Sequence, residues 1–196
     1  MAARVVLLDL GGVLLPFDRE RRVRTIRDRT GVDEESVRAF MAGDIHQELD
    51  RGQADEADLA AAFSTLAGRV VGEDEARALI LSVFEAPNEA LWDLVSRLRE
   101  RVVVGGFSDN PAFVSEVFPP GANLDPLFLS CDLGAQKPAR EAFAAVEAAL
   151  GVAPVAILFI DDMAANVDQA RAMGWDAIRF VSNGQLMDEL RQRGLA

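Results

Sequence analysis

The sequence predicts an α/β fold: a three-layer, Rossmann-like parallel sheet with helices on both faces, interrupted by an all-helical insertion. Short apolar runs typical of buried strands occur near the N-terminus and through the second half of the chain. Segments with helical periodicity separate the later runs, and such alternation is typical of parallel sheets covered on both faces. A long stretch that contains helical patterns alone predicts the insertion.

The candidate strands are apolar runs that end at glycine or at polar residues. They are predicted at residues 4–8, 102–107, 155–160 and 177–181, with a shorter strand at 127–130. Helices are predicted at residues 88–99 and 164–173, where apolar residues recur at helical spacing. Another helix is expected to follow Pro138 and to stop at Gly151, because proline suits the first helical position and glycine the end.

The segment between the first two strands differs from the rest of the chain. It contains helical patterns and no convincing strand, with the patterns at residues 21–29, 34–41, 55–67 and 74–84. An all-helical block at this place in an α/β fold is best explained as an inserted cap. We therefore predict a Rossmann-like core formed by residues 1–16 and 88–196, and a cap formed by residues 17–87.

The composition restricts the classes of partner. The 196-residue chain has a formal net charge of −12, which argues against nucleic acid and anionic membrane surfaces, since both attract basic patches. No segment approaches the roughly 20 apolar residues of a membrane span. The single cysteine, Cys131, excludes an internal disulfide and suits a reducing, cytoplasmic environment. A small anionic metabolite still suits a local cleft, whose field can differ from the net charge.

Polar residues follow the predicted strands, at the edge where parallel strands converge on a ligand site. Asp9 follows the first strand, Ser108 the second, and the pair Asp161 and Asp162 a later one. Converging carboxylates repel one another, and a divalent cation relieves that repulsion. Carboxylate oxygens suit Mg²⁺, so the sequence predicts a magnesium site at this edge.

Lys137 is expected beside the N-terminus of the helix that follows Pro138, a position that attracts anions. Together with Ser108, it would hold a bound oxyanion. An aspartate carboxylate that lies next to Mg²⁺ and to these two phosphate-binding groups can attack phosphorus and form an aspartyl-phosphate. The predicted catalytic residues are therefore Asp9, Ser108 and Lys137.

These motifs resemble those of the haloacid dehalogenase (HAD) superfamily, most of whose members are phosphatases. Four segments look like the four family motifs in turn: residues 9–13, Ser108, residues 134–138 and residues 161–167. They occur in the family's order, with a helical cap between the first two, and the resemblance covers the whole chain. Residues 129–134 and cap residues 43–52 are further similar to the branch that contains α-D-glucose-1-phosphate phosphatase.

The resemblance implies a role for each matching residue. Asp9 would be the nucleophile and a Mg²⁺ ligand, and Ser108 and Lys137 would hold the phosphoryl oxygens. The other implied metal ligands are the Gly11 carbonyl, Asp161 and Asp162, with Asn166 behind them. The candidate substrate contacts are Gly12, Asp109, Asn110 and His46. A small phosphorylated metabolite, such as a sugar phosphate, is the implied substrate, and the protein is expected to be a monomer or homodimer.

Two departures from the family pattern matter. Most phosphatases of this family carry an acid two residues after the nucleophile, where this chain has Gly11. The enzyme is then expected to prefer good leaving groups, or to take the acid from water or from the cap. His46 is one candidate in the cap, and a packing role explains that residue at least as well. Asp109 replaces the usual asparagine, and its charge beside a phosphate predicts that it points away.

Two other functions fit the same fold. A 2-haloacid dehalogenase would use the same aspartate on carbon, but that branch typically has an aromatic residue where Gly11 stands and needs no metal. A non-catalytic binding or regulatory protein is favoured by Gly11 and Asp109. The charged set Asp9, Lys137 and Asp162 argues against it, because such groups are costly to retain without a use.

Overall fold

The computed structural model describes residues 3–196 and contains one five-stranded parallel sheet, which confirms the predicted α/β class. The strand order is β3-β2-β1-β4-β5. The strands are β1 (Val5–Leu8), β2 (Val103–Ser108), β3 (Leu127–Leu129), β4 (Ile157–Asp161) and β5 (Asp176–Arg179). Every residue of β1 and β4 is buried, as expected for central strands that are covered on both faces.

The register of the central strands determines which side chains meet at the carboxyl edge. Leu8, the last residue of β1, lies beside Gly106 of β2 and Ile160 of β4. The next residue, Asp9, donates its N–H to the Ile160 carbonyl at 2.8 Å. Asp9 therefore extends the central strand and lies between the ends of its two neighbours, β2 and β4.

Five helices follow β1 and share one hydrophobic cluster. They are α1 (Arg19–Thr30), α2 (Glu34–Met41), α3 (Asp44–Asp50), α4 (Glu56–Ala67) and α5 (Glu73–Leu81). Ile26 of α1, Phe63 of α4 and Leu79 of α5 are fully buried in this cluster, which Phe113 joins from the later part of the chain. The arrangement agrees with an inserted helical cap, and the boundaries 17–87 remain a proposal.

Five further helices cover the two faces of the sheet. They are α6 (Glu89–Leu98), α7 (Ser130–Leu133), α8 (Arg140–Leu150), α9 (Ala164–Ala172) and α10 (Asn183–Gln192). Leu94 of α6 and Leu186 of α10 pack on one face, and Phe143 of α8 and Val167 of α9 pack on the other. Within residues 3–196, no helix is both long and apolar enough to cross a membrane.

The structure corrects several local predictions. Pro138 does not start a helix, because α8 begins at Arg140 with Ala139 as its cap residue. The strand predicted at 155–160 starts two residues later, after a short 3₁₀ helix at Pro154–Ala156. Helices α3, α7 and α10 were not predicted, and for α10 the signal was available, since Ser182 caps it by accepting the Gln185 N–H.

The two chain crossings between core and cap pair with each other. Phe17 and Phe84 form an isolated antiparallel bridge. On either side of it, the Asp18 N–H donates to the Val83 carbonyl at 2.7 Å, and the Glu85 N–H donates to the Pro16 carbonyl at 2.8 Å. The helical pattern at 74–84 therefore ends early, because its last residues leave α5 to make this pairing.

Gly52, just after α3, brings the cap into close contact with the core. Its φ is +67°, and a Cβ added there would overlap the Cys131 carbonyl oxygen in α7. An alanine at this position would combine an unfavourable backbone conformation with a backbone clash. Close approach of cap and core therefore depends on the missing side chain of Gly52.

We expect Gly52→Ala to lower the free energy of unfolding by about 2–4 kcal/mol, the sum of left-handed strain and overpacking. Gly68→Ala is the matched control, because Gly68 has a φ of +62° and nothing within 4 Å of an added Cβ. The control should lose only about 1–2 kcal/mol. Urea denaturation of both variants measures the difference, and equal losses would show that the contact with Cys131 is unimportant.

Candidate active site

Asp9 is a buried carboxylate held by three donors. Its Oδ1 accepts hydrogen bonds from the Leu10 N–H at 2.7 Å and the Ser108 hydroxyl at 2.5 Å. The Lys137 ammonium lies 3.0 Å from the same oxygen. The carboxylate thus has a fixed orientation at the end of β1, with a hydroxyl and a cation beside it.

Lys137 is the only lysine of the chain, and its ammonium is buried beneath the carboxyl edge of the sheet. It forms an ion pair with Asp161 Oδ2 at 2.8 Å and donates to the Phe107 carbonyl at 3.0 Å. Burial lowers the pKa of Lys137, but the carboxylates of Asp9, Asp161 and Asp109 together raise it above its ordinary value. The ammonium therefore stays charged at neutral pH.

The acid pair that follows β4 is divided between two environments. Asp161 is fully buried and accepts hydrogen bonds from the Met163 N–H at 2.7 Å and the Asn166 amide at 3.0 Å. Asp162 is half-buried and lies against Gly12, whose φ is +77° and where an added Cβ would be 2.6 Å from Asp162 Oδ2. The absence of a side chain at Gly12 provides the space that Asp162 occupies. The contact of Gly12 with substrate remains a prediction.

The three carboxylates suit a divalent cation. Asp9, Asp161 and Asp162 each offer an oxygen, and these oxygens lie within 4.8 Å of one another. Burial raises the pKa of Asp9 to about 7, against the opposing effect of Lys137, and burial and Asp161 raise the pKa of Asp162. One ammonium cannot balance three carboxylates, so a bound cation would keep them ionised. Mg²⁺ fits this hard oxygen donor set, with the Gly11 carbonyl as a further predicted ligand.

The loop after β2 supports this cluster. Asp109 Oδ1 accepts the backbone N–H of Lys137 at 3.0 Å, and the Asn110 amide donates to the Ser108 hydroxyl at 3.0 Å. Asp109 therefore positions the lysine segment. Both residues also line the neighbouring cavity, which agrees with their prediction as substrate contacts but does not test it.

A cavity of about 250 Å³ lies between the cap and the core beside this cluster. Gly11 and Asp109 line it from the core, and Arg22, His46 and Asp50 line it from the cap. Burial and the charge of Arg22 lower the pKa of His46 to about 4, so its imidazole is neutral at pH 7. A neutral imidazole is a poor proton donor, which argues against the predicted acid role of His46.

Two features of the site were missed in the sequence. Asp50 and Arg22 face the cavity only because the cap folds onto the core, and no local pattern indicates that contact. Asp50 does lie in the segment 43–52, which resembles the branch that contains α-D-glucose-1-phosphate phosphatase, and this was an unused signal. The other unused signal was the single lysine among 19 arginines, since a chain that otherwise uses arginine for its cations retains lysine at Lys137 alone.

Comparisons with known proteins find similarity over most of the chain. A family model described as haloacid dehalogenase-like hydrolase matches residues 3–174. A D-ribitol-5-phosphate phosphatase of Bacteroides thetaiotaomicron is 26% identical, over 94% of this chain and 95% of the relative. A Mycobacterium tuberculosis protein named as a phosphatase is 27% identical, over 96% of this chain and 92% of the relative. The solved magnesium complex of a HAD family enzyme from B. thetaiotaomicron has a TM-score of 0.85 at 23% identity, covering 97% of this chain and 100% of the other.

Proposed function

This chain belongs to the haloacid dehalogenase-like hydrolases, and from that premise we propose that it is a Mg²⁺-dependent phosphatase of a small phosphomonoester. The observation that carries the proposal is the contact of one carboxylate, Asp9, with both the Ser108 hydroxyl and the Lys137 ammonium. Both groups donate readily to phosphoryl oxygens. Their position marks the place where a phosphate would meet the nucleophile.

The proposed reaction uses these residues in two steps. A carboxylate oxygen of Asp9 attacks phosphorus, the bond to the leaving oxygen breaks, and an aspartyl-phosphate forms. Ser108 and Lys137 hold the phosphoryl oxygens while negative charge redistributes in the transition state. Water then attacks phosphorus and releases inorganic phosphate. Mg²⁺, held by Asp9 and Asp162 with Asp161 nearby, would neutralise charge on the phosphoryl group.

The cavity and the relatives support a sugar or polyol phosphate as the substrate. The cavity of about 250 Å³ is small, and its cap side carries Arg22, His46 and Asp50, which can hydrogen-bond hydroxyl groups. The relative named as a D-ribitol-5-phosphate phosphatase acts on a polyol phosphate. The resemblance to the glucose-1-phosphate phosphatase branch remains a prediction, as does the monomeric or homodimeric state.

The proposal is tested by hydrolysis of p-nitrophenyl phosphate across a Mg²⁺ titration. We expect turnover only with Mg²⁺, and we expect Asp162→Asn to raise the half-saturating Mg²⁺ concentration by about 10–100-fold, because a ligand to the ion is lost. Asp168→Asn is the matched control, since this exposed acid of α9 lies outside the site. Turnover that survives removal of the metal would contradict the proposal. A folded protein that binds Mg²⁺ and hydrolyses no ester would favour the binding role suggested by Gly11.

A further inference from the structure

We propose that Asp50, the last residue of α3, is the general acid that Gly11 does not provide. The inference rests on the proposed phosphatase function and assigns a specific proton donor to it. Without such a donor, the leaving oxygen departs as an alkoxide, and general acid catalysis is commonly worth about 10²–10⁴-fold in rate.

The cavity places Asp50 where an acid is needed. Gly11 and Asp50 line the same cavity from opposite sides, Gly11 from the core and Asp50 from the cap. A Cβ added to Gly11 would contact the ring of Phe17, another lining residue, at 3.7 Å. A side chain at position 11 would therefore lie at the wall of this cavity, which Asp50 also lines.

A chain of contacts links Asp50 to the segment that carries Lys137. The Gln136 amide nitrogen lies 3.5 Å from Asp50 Oδ2, and the Arg51 guanidinium donates to Gln136 Oε1 at 3.1 Å. Gln136 directly precedes Lys137, so this contact joins the cap acid to the lysine segment. Gly52 then packs on Cys131, which fixes the end of α3 against the core.

The surroundings of Asp50 favour its protonated form. Burial and the charge of Asp109 raise the pKa of Asp50 to about 7, against the opposing effects of Arg22 and Arg51. His46, on the same helix, is neutral at this pH and adds no charge. At pH 7, an exposed aspartate is protonated in about one molecule in a thousand. Burial therefore keeps a much larger fraction of Asp50 in the protonated form.

The proton balance closes over the two steps. As Asp9 attacks phosphorus and the bond to the ester oxygen breaks, the Asp50 carboxyl transfers its proton to that oxygen, and the alcohol leaves. Asp50 is then a carboxylate, and it removes a proton from the water that attacks the aspartyl-phosphate. Inorganic phosphate is released, and Asp50 has regained its proton, so the net reaction consumes one ester and one water.

Leaving groups of different quality test this role. We expect Asp50→Asn to lower kcat/KM for an alkyl ester, D-ribitol 5-phosphate, by about 10²-fold or more. For acetyl phosphate, whose leaving group needs no proton, the loss should stay below about threefold. The ratio kcat/KM covers only the steps up to departure of the leaving group, which excludes the later role of Asp50 as a base. Activity on acetyl phosphate also shows that the variant is folded.

A second substitution provides a rescue. In the Asp50→Asn background, Gly11→Asp should selectively restore hydrolysis of the alkyl ester, since Gly11 lines the same cavity. Asp44→Asn is the matched control, because Asp44 is an exposed acid at the other end of α3. An equal loss on both substrates would show that Asp50 only binds or positions substrate, and would overturn the inference. A wild-type protein inactive on acetyl phosphate with Mg²⁺ would instead overturn the phosphatase function itself.

Discussion

Asp9→Asn should reduce kcat/KM for every phosphate ester by at least about 10⁴-fold, while the protein remains folded. An amide oxygen is a far weaker nucleophile than a carboxylate, and no other acid can replace it at the end of the central strand. The asparagine has nearly the same volume, and it can still accept the Leu10 N–H and the Ser108 hydroxyl that Asp9 accepts now. The loss should be equal for good and poor leaving groups, unlike the loss expected for Asp50→Asn.

The covalent step gives a direct measurement of this prediction. Rapid acid quenching of the wild-type protein with radiolabelled acetyl phosphate and Mg²⁺ should leave label on the protein, and peptide mapping should place it on Asp9. Asp9→Asn should retain no label, and the exposed-site control Asp168→Asn should behave as the wild type. Label that persists in Asp9→Asn would place the nucleophile elsewhere and contradict the proposed reaction.

Lys137→Met should have the largest effect on stability, lowering the free energy of unfolding by about 3–5 kcal/mol without added metal. The lysine forms ion pairs with Asp9 and Asp161, and its removal leaves two buried carboxylates facing each other with no cation between them. Methionine fills similar volume, so lost packing contributes little. Catalysis should fall as well, because the phosphoryl group loses a charged donor.

Urea denaturation with and without Mg²⁺ distinguishes the effect of the lost charge from the effect of lost packing in this variant. A dication bound to Asp9 and Asp162 would offset part of the missing positive charge, so the stability difference from the wild type should narrow at saturating Mg²⁺. Arg191→Met removes an exposed cation of α10 and should change stability little. A Lys137→Met protein as stable as this control would show that the buried ion pairs contribute nothing.

The sheet and the position of its site could be predicted because both depend on local patterns. Apolar runs such as residues 4–8 and 155–160 mark buried strands, and the convergence of parallel strand ends then brings Asp9, Ser108 and Asp161 together. The polar and charged residues at these positions could be identified without knowing how the helices pack. The errors of one or two residues at strand ends follow from the same local reasoning, which does not show where the hydrogen bonds between strands stop.

The cap side of the site depends on long-range docking and could not be predicted. The orientation of Asp50 follows from the packing of α3 against α7, two elements far apart in the sequence. The charge state of His46 depends on burial beside Arg22, which the sequence pattern of α3 does not indicate. Lys137 was expected beside helix amides, but its neighbours in the structure are carboxylates and the Phe107 carbonyl.

The single lysine also makes this site visible to spectroscopy. A protein grown with ¹⁵N-labelled lysine carries one side-chain ammonium and hence one side-chain signal, that of Lys137. Burial and hydrogen bonds to Asp161 and the Phe107 carbonyl shield its protons from exchange with water. The chemical shift of that one resonance would follow arrival of metal, formation of the covalent intermediate and release of phosphate, with no probe attached and no residue replaced.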